Sequence, residues 1–79
     1  MVAPLIVEYD SAGDILYLGK TKPYVGQESE ELDFGVVARL NPTSGEIENL
    51  EILSFTARTK SGEGVNIPVL ADFCLPQGV

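Results

Sequence analysis

The sequence predicts a mainly β fold, an antiparallel meander of hairpins with about five to six strands, or the same sheet with one short helical turn. Three observations carry that prediction. Turn chemistry recurs at Asp10–Asp14 (DSAGD), Asp33–Gly35 (DFG) and Asn41–Gly45 (NPTSG). The runs between these turns are rich in Val, Ile, Leu and Tyr with a period of two. The chain has 79 residues, enough for one core and so one domain over residues 1–79.

Leu5–Tyr9 (LIVEY) sets Leu5, Val7 and Tyr9 on one face and Ile6 and Glu8 on the other. Pro4 stands just before it, where a strand tolerates proline. Ile15–Gly19 (ILYLG) closes a first hairpin, with Asp10 forming an Asx turn, Gly13 expected at positive φ and Asp14 binding the loop backbone. Tyr24–Leu32 (YVGQESEEL) is polar and extended, as suits an exposed edge strand. Val36–Leu40 alternates cleanly. In the next turn, Asn41 accepts bonds from the following backbone, Pro42 suits the second turn position and Gly45 supplies the exit.

Glu46–Phe55 is the longest strand, and its period slips near Leu50, which predicts a β-bulge or cover on both sides. Thr56–Gly64 reads as a loop or one helical turn. Val65–Leu75 is apolar again, but Pro68 restricts it to an edge strand or an extended arm.

Composition narrows the chemistry. Without histidine, the common Ser–His and Cys–His relays are impossible, and with one cysteine the usual zinc ligand sets are missing. No cofactor or metal is expected, and no catalytic residue. Five Lys and Arg against twelve Asp and Glu give a formal charge of −7, which disfavours nucleic acid and steers toward basic partners. No apolar run approaches the roughly 20 residues of a membrane span, and Glu8 interrupts the one near the N-terminus. A lone Cys74 between Phe73 and Leu75 suits a reducing cytoplasm and is expected to be a buried, inert thiol.

The acidic run Glu28, Glu30, Glu31 and Asp33 is the candidate partner contact, being the densest charge in the chain. As a regular strand it would place Glu28 and Glu30 on one face and Glu31 and Asp33 on the other. Asp10, Gly13, Asp14, Asn41 and Gly45 read as structural turn residues. Asp10 and Asp14 also admit an alternative reading, a carboxylate pair for a metal-assisted hydrolase or nuclease-like reaction. Tyr9, Tyr17 and Tyr24 are expected as half-buried rings with their hydroxyls in water. Arg39 in mid-strand is expected to pair with Glu48 or Glu51. Glu46, Glu48 and Glu51 read as outward residues of their strand. A small core without staples points further to a homo-oligomer, most simply a dimer, with Val65–Leu75 contributing.

Tyr9-Asp10-x-x-x-Asp14-x-Leu16-Tyr17 is similar to the opening YDxxxDxLY pattern of the bacterial family of domains of unknown function 2283 (DUF-2283). Gly35-Val36-Val37, Asn41-x-x-x-Gly45-x-Ile47 and Leu50-Glu51-Ile52-Leu53 resemble its later hairpin. The resemblance covers about residues 5–55; Arg39 and Asn49 depart from the residues common there, and the segment after Leu53 does not follow the usual short tail. It implies a compact β-meander or β-plus-short-helix fold, no catalytic residues, and an antitoxin-like partner role. The function expected on all these grounds is a non-catalytic module for protein interaction and self-association.

Overall fold

A computed structural model of the chain describes residues 4–76. Five strands form one antiparallel sheet: β1 (Ile6–Asp10), β2 (Ile15–Gly19), β3 (Glu28–Asp33), β4 (Val36–Leu40) and β5 (Ile47–Leu53). One short helix, α1 (Phe55–Thr59), follows. This is the small, mainly β fold the turn spacing predicts.

The spatial order is β1-β2-β5-β4-β3. A hairpin (β1–β2) and a three-strand meander (β3–β4–β5) therefore join side by side through β2 and β5. The joint requires residues 20–27 to cross the end of β5 on the way to the far edge. It leaves β1 and β3 as the two edges. The polar run after Pro23 enters the sheet at Glu28 rather than Tyr24, because Gln27 N–H bonds back to the Tyr24 carbonyl at 3.2 Å and Gly26 turns the chain.

One face carries the core. Val36 lies opposite Ile52, and Ile52 opposite Leu16; Ala38, Leu50 and Leu18 form the next row. Val36, Ala38 and Ile52 are fully buried. The period slip in the fifth strand is a register shift: Arg39 opposes Asn49 while Leu40 opposes Ile47, leaving Glu48 as the extra residue. Arg39 pairs with Glu51 at 3.6 Å, one of the two carboxylates expected for it.

The hairpin turns form from local chemistry. Asn41 Oδ1 accepts from the N–H groups of Thr43 (2.8 Å) and Ser44 (3.0 Å), and Gly45 exits at positive φ. Asp10 Oδ1 accepts from Ala12 N–H at 3.1 Å, the Asx turn expected of it. The first hairpin corrects one expectation, however. Asp14, not Gly13, takes the left-handed conformation, at φ 55°. Aspartate tolerates that region because its short polar side chain finds local partners, and here those partners hold it firmly.

Val65–Leu75 forms no strand; residues 65–76 carry no regular secondary structure and bend at Pro68–Val69, where Val69 N–H donates to the Ile67 carbonyl at 2.7 Å. Val65, Ile67 and Val69 are half-buried and alternate with exposed Asn66, Pro68 and Leu70, so one side of the segment rests on the domain. Beyond it Phe73, Cys74 and Leu75 are exposed. This overturns the buried thiol: apolar neighbours in sequence bury a cysteine only where the segment itself is packed. No helix among the described residues is long and apolar enough to cross a membrane.

Candidate functional site: the acidic edge strand

The acidic run lies on β3, which among the described residues pairs with β4 alone. Glu28, Ser29, Glu30, Glu31 and Asp33 are exposed, and Leu32 is half-buried. Glu28 and Glu30 oppose Leu40 and Ala38, while Ser29 and Glu31 oppose Arg39 and Val37. A register shift between Glu31 and Asp33 makes Leu32 the extra residue and brings Asp33 opposite Val36. Asp33 therefore joins the row of Glu28 and Glu30, not the face of Glu31 as regular alternation would have it.

The turn engages two of the four carboxylates. Glu31 Oε2 accepts from Gly35 N–H at 3.3 Å, and Asp33 Oδ1 from Phe34 N–H at 2.8 Å. Arg58 ties the same turn to α1: it donates to the Phe34 and Leu53 carbonyls and lies over the Phe34 ring at 5.9 Å. Neither ion pair among the described residues uses a β3 carboxylate. The strand thus displays negative charge beside unpaired backbone donors and acceptors.

Asp10 and Asp14 are divided between different tasks. Asp10 lines a shallow groove of about 340 Å³ with Ile6, Glu8, Tyr17, Thr21 and Asn49. Asp14 turns toward α1. It accepts from the Tyr9 hydroxyl (2.6 Å), Thr56 N–H (3.0 Å) and the Thr56 hydroxyl (2.8 Å), and its carbonyl accepts from Phe55 N–H at 3.0 Å. Ser54, at the helix entrance, makes no side-chain cap. Asp14 therefore caps a helix 42 residues away rather than its own loop. Both of its carboxylate oxygens accept from protein donors, Oδ1 from Tyr9 and Thr56 and Oδ2 from Thr56.

Sequence reasoning missed a second polar centre at the start of β5. Glu48 accepts from the Tyr24 hydroxyl (2.6 Å), Gln27 Nε2 (3.1 Å) and Asn41 Nδ2 (3.3 Å). Asn49, only 7 % exposed, donates to the Thr21 carbonyl and accepts from Gln27 Nε2 at 2.8 Å. Lys20 adds an ion pair to Glu46 at 2.6 Å. Together these residues clamp the 20–27 crossover onto β5, which fixes where β3 begins. Glu48 is thus a hub rather than a solvated outward residue. The only signal for it was an Asn inside an apolar strand, a residue rarely buried without partners.

Of the three tyrosines expected as half-buried rings with hydroxyls in water, Tyr9 and Tyr24 are exposed and donate their hydroxyls to carboxylates. The Tyr9 hydroxyl, with Thr56 N–H behind it, holds the Asp14 carboxyl below its usual range, and Tyr24 does the same for Glu48. The carboxylates in turn push both phenols up. A carboxyl depressed on folding stabilises above its unfolded pKa, near 4, and loses that contribution as pH falls through the folded value. A phenol raised on folding stabilises below about 10 and loses it as pH rises. Thermal unfolding against pH should therefore show a plateau bounded near 4 and 10. Tyr24→Phe should flatten both limbs, and an unchanged profile would contradict the clamp.

No protein-family model matches the chain, and no curated protein or solved structure matches it.

Proposed function

We propose that this protein is a non-catalytic interaction module that self-associates and receives a basic protein segment on its β3 edge. The observation that supports the reading is the coincidence, on one edge strand, of four exposed carboxylates with an unpaired backbone ladder. An extended segment can add to such an edge through main-chain hydrogen bonds, while the carboxylates select lysine- or arginine-bearing strands. With a charge of −7, the module repels DNA, RNA and anionic membranes. A reducing cytoplasm, where exposed Cys74 stays a thiol, is its compartment in this reading. The resemblance of residues 5–55 to DUF-2283 belongs to the same proposal, as does an antitoxin-like role.

A β-prone peptide alternating lysine and valine is a direct probe. Its binding, followed by stopped-flow fluorescence, should weaken as salt rises to about 0.5 M, where the Debye length falls to roughly 4 Å. Replacing Glu28, Glu30 and Glu31 with Gln should slow association more than it speeds dissociation. Salt-independent peptide affinity, or tight nucleic-acid binding at physiological salt, would refute the proposal.

A further inference from the structure

Helix α1 is too short to stand unaided. Its five residues make little more than one turn, and isolated helices shorter than about 12–15 residues are marginal in water. No residue of it is fully buried, and Ser54, at its entrance, sits in the left-handed region at φ 54° without capping it. Its order is therefore supplied by its neighbours. At its N-terminal end Asp14, in the β1–β2 turn, accepts from Thr56 N–H and the Thr56 hydroxyl, and the Asp14 carbonyl accepts from Phe55 N–H. At the other end Arg58 donates through Nε to the Leu53 carbonyl at 2.8 Å and through Nη2 to the Phe34 carbonyl in the β3–β4 turn. Gly35 of that turn leaves the room the guanidinium occupies, since a Cβ there would run into Arg58 Nη2.

The strand order puts these two fastenings where one short segment reaches both. The β1–β2 and β3–β4 turns lie at the same end of the sheet, on either side of the end of β5, from which α1 leaves. We infer that α1 is a strap fastened at Asp14 and Arg58, which forms and melts as a unit and so couples the first hairpin to the turn that joins β3 to β4. The coupling follows from the helix's marginal length. Both fastenings stabilise the same folded turn, so the loss of either melts it and deprives the other of its geometry. Linkage makes the effect reciprocal: whatever releases Asp14 loosens the Phe34–Gly35 turn, and the reverse. Leu53 N–H, which donates to the Gly35 carbonyl at 2.8 Å, reports on that turn from β5. The opening is confined to one end of the sheet, so the β2–β5 ladder stays closed.

Amide hydrogen exchange followed by NMR tests the strap. Asp14→Gly removes the carboxylate and keeps the positive φ, so the first hairpin closes as before. Exchange at the Thr56 and Arg58 amides should then rise at least about tenfold and at Leu53 at least about threefold, with the β2–β5 ladder exchanging as in the native chain. Arg58→Gln should raise exchange at Thr56, beside the opposite fastening. Tyr9→Phe, which removes a donor that holds the Asp14 carboxylate from β1, should move the same amides in the same direction by a smaller factor. Asp14→Gly and Arg58→Gln together should do little more than either alone, because they release one strap. Multiplicative effects of the two, or a Leu53 amide unmoved by Asp14→Gly, would show two independent contacts and overturn the inference. A uniform rise across the sheet would also overturn it, since α1 would then open only with the whole fold. These exchange rates are independent of any partner at β3.

Discussion

Asn49→Ala should lower the unfolding free energy by about 2–3 kcal/mol, the cost of leaving buried hydrogen-bonding groups without partners. The substitution strands the Thr21 carbonyl and one Gln27 amide donor beside β5, and removes the only nearly buried polar side chain among the described residues. Asn49→Asp should cost at least as much despite its matching size. A carboxylate there has no N–H for the Thr21 carbonyl and brings a buried charge against that oxygen. Urea unfolding checks both. Equal stability of the Asp variant and the native chain would mean that the clamp contributes through shape alone.

Gly19→Ala should be as damaging, at about 3 kcal/mol, for a steric reason. Gly19 lies opposite Asn49 across β2 and β5, and the Asn49 amide crosses the space that a side chain would fill. An added Cβ would stand 2.5 Å from both Asn49 Nδ2 and the Glu48 carbonyl oxygen, and 2.7 Å from the Asn49 Cα. Two of those three neighbours are backbone, so the strands themselves would have to part. Gly45→Ala offers the contrast. Its Cβ would meet open space, and only the left-handed φ of 75° resists it, at about 1–2 kcal/mol. Combining Gly19→Ala with Asn49→Ala should recover only part of the loss, because the clash with the Glu48 carbonyl remains. Full additivity would show that the two sites act independently.

Both predictions place the weight of the fold on the crossover from the first hairpin to the acidic edge. If residues 20–27 detach from β5, β3 loses its starting point, and the proposed partner surface loses its shape before the core is lost. Stability and binding should therefore fall together in the Asn49 variants. Substitutions at Glu28 and Glu30, whose side chains make no hydrogen bond among the described residues, should change binding alone.

The sequence by itself determined the fold class, both later hairpin turns, the Asx turn at Asp10, the slip of period in the long strand and the exclusion of histidine-based relays. Each of these is written within a few neighbouring residues: an Asn-Pro-x-x-Gly turn or a period-two run constrains backbone angles locally, wherever the segment lies. Only the tertiary structure decided the rest. The order β1-β2-β5-β4-β3 arises from β2 meeting β5, whose paired residues lie thirty or more apart in the chain. Asp14 caps a helix 42 residues on, and takes the positive φ expected of Gly13 because those distant donors hold it there. Glu48, Asn49 and the two tyrosine hydroxyls find partners that periodicity cannot name. Cys74 is exposed because its segment never joins the sheet. Local pattern states which conformation a residue prefers; which distant group satisfies its hydrogen bonds, or buries its side chain, depends on contacts that exist only once the strands have paired.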